Sequence, residues 1–162
     1  MRLVVRRGTT DGADVSAGQR TLCTFWLGDI CFGIDVLAVR AVIAHHDLAP
    51  VPLAPSVVSG LMNLRGQIIT VVDLRRRMEM DDRSAGVEPM HIVVHSDDGL
   101  VSLTVDRISD VVDVSDTAFE PPPGTLTGAA SHVIVGTHKL DGRLLLEIEI
   151  DRVLAGLLAS QP

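Results

Sequence analysis

The sequence is poor in aromatic residues, with no tyrosine, one tryptophan and three phenylalanines among its 162 residues. Proteins that bind single-stranded nucleic acids stack the bases on aromatic side chains, so this composition argues against such a surface. The net charge of −7 argues in the same direction, because non-specific nucleic-acid binding needs a positive footprint. No apolar run reaches the ~18 residues of a membrane span. Since 46% of the residues are hydrophobic, the predicted core is aliphatic.

The motifs that mark common active sites are also missing. There is no phosphate-binding loop, no dinucleotide-binding glycine pattern and no nucleophile elbow around Ser131. His91 and His95 have the spacing of a zinc-protease helix, but the glutamate that follows the first histidine is absent and Ile-Val-Val favours a strand. On a strand both side chains project to one face, although no third ligand is apparent nearby. The sequence predicts a protein without catalysis, metal or cofactor, and a metal-dependent enzyme using His91 and His95 is the alternative from another class.

The two cysteines, Cys23 and Cys31, fall in a predicted β-hairpin that turns at Gly28-Asp29. A two-residue turn there places Cys23 opposite Ile34 on one face, whereas Cys31 shares the other face with Trp26. A disulfide is not expected between residues on opposite faces of a hairpin. Two reduced, packed thiols are typical of a cytoplasmic protein.

Short runs of Val and Ile, broken by Gly and Pro, are typical of an all-β sandwich or barrel. Apolar residues spaced along 150–158 predict an amphipathic C-terminal helix. The polar segment 81–89 predicts a division into two halves, each with its own turn-linked hairpin. We therefore expect a flexible tail at 1–18 and one domain at 19–162, built from two small barrels or curled sheets that divide at about 81–89.

In the segment 55–77 the pattern of apolar residues changes at Arg65 and Gly66. Its first part, up to Leu64, has apolar spacing that suits a short helical turn opened by Pro55. The run 68–72 is β-branched on both parities, which is typical of a strand buried on both faces. Arg65 and Gly66 lie at the joint. Two interpretations of Arg65 remain open: an arginine that reaches out from the core edge or pairs with Asp73, and an anchor that faces a partner.

Four segments together resemble the CheW-like domain of bacterial chemotaxis. They are Phe32–Val39, Gly60–Arg75 with its N-L-R-G and V-D-L-R blocks, Val105–Val111 and Lys139–Leu144. The resemblance implies two five-stranded SH3-like β-barrels that share an apolar core, with short helices that include one at the C-terminus. It implies a non-catalytic adaptor that binds the cytoplasmic tip of chemoreceptors and the regulatory domain of the histidine kinase CheA. The chain resembles a stand-alone protein of this family, cytoplasmic and associated with membrane-anchored receptor arrays.

The same resemblance implies roles for individual residues. Arg65, with Gly66 beside it, falls on the family's receptor-binding arginine, and Val36, Val39 and Val105 fall on aliphatic positions near the groove between the barrels. Gly60 and Asp73 receive structural roles. Ala41 stands where the family often has an acidic residue that would pair with the arginine. A CheW-like adaptor of a non-chemotaxis pathway, such as pilus motility, is the alternative within the family.

Overall fold

A computed structural model describes residues 19–44, 46–115, 119–121 and 128–157. The expected tail at 1–18 and the end of the expected C-terminal helix, Leu158, lie outside these residues. The described elements are, in chain order, strands β1 (Gln19–Leu27) and β2 (Ile30–Asp35), a 3-10 turn (Val36–Ala38), β3 (Val39–Ile43), β4 (Val58–Leu64), β5 (Gln67–Asp73), helix α1 (Leu74–Arg77), β6 (Met90–Ser96), β7 (Gly99–Val105), β8 (Arg107–Ser115), β9 (Phe119–Glu120), α2 (Ala129–Val133), β10 (Ile134–Leu140), β11 (Arg143–Ile148) and α3 (Ile150–Leu154).

The strands form two sheets. The first sheet has the order β8-β1-β2-β11-β10-β9, and the second has the order β3-β6-β7-β5-β4. Neighbouring strands are antiparallel except for the pairs β2–β11 and β5–β7, which are parallel. In the second sheet, Ala49 forms an isolated antiparallel bridge to Leu61 on the edge strand β4. The predicted all-β class with two SH3-like units and few short helices is confirmed.

The division expected at 81–89 does not separate the two sheets. The strands before it, β3 to β5, and the strands directly after it, β6 and β7, lie in one sheet. The first sheet instead combines the N-terminal hairpin with the C-terminal strands. The prediction was wrong because strand pairing is decided over long range, whereas a polar, glycine-containing segment reports only a local loop.

The β1–β2 hairpin has the predicted register, with Phe25 opposite Phe32 and Cys23 opposite Ile34. Both cysteines are free and buried. Burial raises the pKa of the Cys23 thiol to about 11. It also raises the pKa of Cys31, although the nearby charge of Arg143 opposes this. The two side chains lie on opposite faces of the sheet, as the sequence predicts.

The residues before Arg65 form strand β4, so the helical turn expected there was wrong. A bulge between Val58 and Gly60 shifts the pairing with β5. Because a bulge places two residues opposite one, apolar residues on either side of it fall on different parities, which resembles helical spacing. The ambiguous run after Asp35 divides into the 3-10 turn and β3.

The main core lies between the two sheets. Both sheets contribute fully buried aliphatic residues, and the helices α2 and α3 close one side with Val133 and Val153. A second cluster, comprising Leu22, Cys31, Val114 and Leu145, lies on the other face of the first sheet. The C-terminal helix, Ile150–Leu154, is shorter than expected. None of the described helices has the length and hydropathy needed to cross a membrane.

Candidate functional site

The 3-10 turn Val36–Ala38 lies where the two sheets meet, in contact with β1 of the first sheet and β6 of the second. Asp35 starts the turn, because its carboxylate accepts a hydrogen bond from the Leu37 N–H at 2.9 Å. Val36 and Val39 are half-buried, and Val39 packs against the main core. The side chain of Leu37 points away from the core and is 86% exposed. The turn therefore presents an apolar edge at the junction of the sheets.

A cleft of about 460 Å³ opens beside this turn. Both sheets and the start of α3 form its walls, and its lining includes Asp35, Ala38, Asp97, Glu149 and Asp151. Carboxylates outnumber cations among the lining residues. The apolar edge is thus bordered by a polar, mainly acidic cleft.

A partly buried ion pair forms part of the wall of the cleft. Both oxygens of the Glu147 carboxylate accept hydrogen bonds from the Arg20 guanidinium. His138 Nε2 lies 3.2 Å from the same carboxylate. Glu147 is only 3% exposed, and a carboxylate at that depth requires such partners. The pair joins β1 to β11 across β2 and fixes one side of the cleft.

Arg65 and Gly66 form the two-residue turn of the β4–β5 hairpin. Both have positive φ, 52° and 86°, which is the backbone of a type I′ turn. Asn63 supports the turn, since its side-chain oxygen accepts a hydrogen bond from the Gly66 N–H at 2.9 Å. Arg65 is exposed, and its guanidinium has no hydrogen bond or ion pair with the described residues. A left-handed arginine is strained, because the Cβ atom disfavours this conformation.

The interpretation that Arg65 pairs with Asp73 is wrong, because the two residues lie at opposite ends of β5. Asp73 instead starts α1, where its carboxylate accepts a hydrogen bond from the Arg75 N–H at 2.9 Å. Ala41 lies on β3, at the other end of the strand order from the Arg65 turn. The absent acidic residue at position 41 therefore leaves no partner for Arg65 on β3.

Gly60 and Val105 lie inside the fold. Gly60 occupies the β4 bulge with φ 151°, and a Cβ atom there would lie 2.6 Å from the carbonyl oxygen of Ala49. Val105 has 0% exposure and belongs to the main core. Val105 can therefore shape the junction from beneath, whereas Val36, Leu37 and Val39 reach its surface.

The two histidines of the metal alternative do not form a site. They belong to one strand, β6, and four residues along a strand separate their Cα atoms by roughly 13 Å. One metal ion cannot reach both at the ~2 Å that zinc–nitrogen bonds require. His91 is buried with Nδ1 3.2 Å from the Thr104 hydroxyl, whereas His95 is exposed. The described residues contain no group of three or more side chains suited to hold a metal.

Sequence reasoning missed Leu37 and Asp106. Asp35 followed by Val-Leu-Ala is a signal for Leu37, because an aspartate before such a run can start a helical turn. Asp106 directly follows the last residue of β7, Val105. Its hydrogen-bond partners come from distant segments, so no local sequence pattern predicts its role.

Both the sequence and the fold of the chain are similar to those of known proteins. The family model described as CheW-like domain matches residues 21–157. The chain is 31% identical over 145 residues to the chemotaxis protein CheW of Rhizobium meliloti, covering 90% of this chain and 94% of that protein. It is 29% identical to the chemotaxis protein CheW of Treponema pallidum, covering 87% and 85%. The crystal structure of the scaffolding protein TtCheW from Thermoanaerobacter tengcongensis superposes with a TM-score of 0.76 at 26% identity, covering 83% and 92%.

Proposed function

The chain belongs to the CheW-like domain family and is a non-catalytic adaptor of chemotaxis signalling, and from this premise we propose that it joins chemoreceptors to the histidine kinase CheA. In this proposal the cytoplasmic receptor tip and the regulatory domain of the kinase bind different surfaces of one protein. The protein would then act on the cytoplasmic side of membrane-anchored receptor arrays. An adaptor for another pathway, such as pilus motility, is not favoured, because the relatives named above are chemotaxis proteins.

The observation that carries the receptor contact is the apolar edge at the junction of the sheets. Val36, Leu37 and Val39 offer aliphatic surface beside a cleft, which suits the apolar face of a partner helix. Arg65 and Gly66 add an exposed cation at the β4–β5 turn, at the other end of the strand order of the second sheet from Val39. Arginine is enriched among the residues that dominate binding energy, and this guanidinium has no partner among the described residues to compete with a ligand.

The kinase contact requires a second surface, and the first sheet offers one. Ile30 and Leu144 lie on the paired strands β2 and β11 and are 43% and 45% exposed. Adjacent exposed aliphatic side chains on a sheet are typical of a protein-binding patch. This patch belongs to the first sheet, whereas Arg65 belongs to the second, so both partners could bind at once.

Charge reversal and aliphatic replacement test the receptor contact. We expect Arg65→Glu and Leu37→Glu each to weaken binding to a soluble receptor cytoplasmic fragment about tenfold or more, measured by calorimetry. Binding to the isolated CheA regulatory domain should be unchanged. Leu53→Glu is the matched control for Leu37→Glu, because Leu53 is fully exposed and lies outside the proposed surface.

Two results would contradict the receptor contact. Intact receptor binding by Arg65→Glu would remove the anchor role, and loss of the circular dichroism spectrum would indicate a structural role instead. Arg65→Asn separates these roles further. Asparagine tolerates positive φ better than arginine, so this variant should be about 0.5 kcal/mol more stable while binding the receptor more weakly.

A further inference from the structure

Trp26, the only tryptophan of the chain, lies between two arginines on the first sheet. The guanidinium carbons of Arg107 and Arg143 lie 5.4 Å and 5.6 Å from the centroid of its ring. Arg107 is directly opposite Trp26 on β8, and Arg143 begins β11 on the other side of β2. The half-buried ring packs against the second apolar cluster. The guanidiniums of two arginines thus lie within cation–π distance of one indole ring.

These two arginines differ from three other arginines of the described residues, which have carboxylate partners. Arg20 pairs with Glu147, and both Arg75 and Arg83 pair with Asp106. Arg107 and Arg143 have neither a hydrogen bond nor an ion pair with any described residue. Two cations therefore share one ring without a carboxylate partner, in a chain whose net charge is −7.

The carboxylates nearest in sequence do not neutralise the patch. Asp106 precedes Arg107 but is buried, and its oxygens already accept hydrogen bonds from Arg75, Arg83 and the Gly28 N–H. Asp29 and Asp141 occupy the adjacent hairpin turns, and neither forms an ion pair with Arg107 or Arg143. The described residues therefore leave the charges of Arg107 and Arg143 without a carboxylate, and an anion from a partner would pair with them favourably.

We propose that Trp26, Arg107 and Arg143 form a docking surface for a carboxylate-rich segment of a partner protein. Each guanidinium can bind a carboxylate with two parallel hydrogen bonds while its plane stacks on the ring. The ring restricts the two side chains beforehand, which reduces the entropy lost on binding. A nucleic acid fits less well, because its continuous line of phosphates would meet the negative charge of the rest of the protein. The surface lies on the opposite face of the first sheet from Ile30, which pairs with the buried core residue Leu27.

The fluorescence of Trp26 tests the proposal directly, since no other residue of the chain is a tryptophan or tyrosine. The full chain is titrated with a hexaglutamate peptide at low salt, and binding is measured in parallel by calorimetry. We expect a saturable change in emission that weakens as salt is raised. Arg107→Gln and Arg143→Gln should each weaken binding about tenfold, because each removes a charge-assisted contact. Arg40→Gln, an exposed arginine on the other sheet, should bind like the parent protein.

Three outcomes would overturn the proposal. They are the absence of saturable binding, equal affinity of the parent and both arginine variants, and tighter binding of a thymidine oligonucleotide of the same charge. The test uses neither receptor nor kinase, so its result is independent of the proposed adaptor function. Calorimetry keeps the comparison valid where an arginine substitution changes the emission of the ring itself.

Discussion

At the residue scale, the carboxylate of Asp106 joins three segments that are distant in the sequence. It accepts hydrogen bonds from the Gly28 N–H at 2.7 Å, from Arg75 Nε at 2.9 Å and from Arg83 Nε at 2.7 Å. Gly28 belongs to the hairpin turn of the first sheet, whereas Arg75 lies in α1 at the end of the second sheet. Burial alone would raise the pKa of Asp106, but the hydrogen bonds from Arg75, Gly28 and Arg83 outweigh it and hold this pKa well below its usual range.

We expect Asp106→Asn to lower the free energy of unfolding by about 3 kcal/mol at pH 7, because it leaves two largely buried arginines without their anion. Urea unfolding followed by circular dichroism measures this difference. Asp110→Asn is the control, since Asp110 is an exposed aspartate whose side chain makes no hydrogen bond with the described residues. If Asp106→Asn lowers the free energy of unfolding no more than Asp110→Asn does, the network contributes little stability.

The network also predicts how stability depends on pH. The pKa of Asp106 is lower in the folded state, so the unfolded chain binds more protons between the two pKa values and stability rises with pH there. The contribution is complete above about pH 4, the usual aspartate pKa, and is lost as pH falls further towards the folded pKa. The gap between parent and Asp106→Asn should therefore be constant from pH 5 to pH 7 and shrink below about pH 4.

At the element scale, the β4 strand depends on one glycine. Gly60 lies in the bulge, and the segment at Ala49 approaches its Cα so closely that only hydrogen fits. Ala49 exchanges two backbone hydrogen bonds of 2.8 Å with Leu61, the next residue. These bonds attach the connection after β3 to the edge strand β4.

We expect Gly60→Ala to destabilise the protein by about 2–3 kcal/mol, because the added methyl group would meet a backbone carbonyl that cannot rotate away. Thermal unfolding measures the loss, and amide exchange at Leu61 should accelerate as the bridge opens. Ser59→Ala is the neighbouring control, since Ser59 is half-buried on the same strand and its side chain makes no hydrogen bond with the described residues. Unchanged exchange at Leu61 would show that the strand absorbs the methyl group elsewhere.

The hairpins show which parts of the fold can be predicted from local sequence patterns. The β1–β2 register was predictable because Gly28-Asp29 specifies a turn and the apolar residues beside it alternate. The β4 strand was misread because its bulge depends on Ala49, a contact that no local pattern encodes. Arg65 was identified through the family resemblance. Its exposure and its turn conformation could not be predicted, because they depend on the pairing of β4 with β5. The exposed position of Leu37 and the cleft beside it could not be predicted from the sequence, because they depend on β1 and β6 contacting the same 3-10 turn.

At the scale of the whole molecule, five strands of the first sheet are paired in the same arrangement as the five strands of the second sheet. The strands of the two arrangements follow a different order along the chain. In the second sheet β5 of the hairpin β4–β5 is parallel to β7; β7 pairs with β6, and β6 pairs with β3. In the first sheet β11 of the hairpin β10–β11 is parallel to β2; β2 pairs with β1, and β1 pairs with β8. The hairpins β4–β5 and β10–β11 each carry a bulge at their start, at Val58/Gly60 and at Ile134/Gly136. In the second sheet the hairpin β4–β5 precedes β6–β7 in the chain, whereas in the first sheet the corresponding hairpin β10–β11 follows β1–β2.

This permutation explains why the sequence suggested two halves but placed their division wrongly. The strands of the second sheet are contiguous from Val39 to Val105, whereas those of the first come from both ends. The polar loop at 81–89 is a local signal of a boundary, but the strands on both sides of it, β5 and β6, belong to the second sheet. The true exchange between the sheets occurs at the 3-10 turn and at Asp106, where one to three residues connect adjacent strands.

The same topology predicts that a cut in the 81–89 loop does not divide the protein. A protease site inserted between Ser84 and Glu88, in an exposed segment, would leave β1–β5 on one fragment and β6–β11 on the other. Both sheets would then contain strands from both fragments, and the ion pair of Arg83 with Asp106 would span the cut. We expect the cleaved protein to elute as one particle on gel filtration and to separate only in denaturant. Adding Asp106→Asn should lower the urea concentration at which the fragments separate, and two folded halves eluting apart without denaturant would contradict this topology.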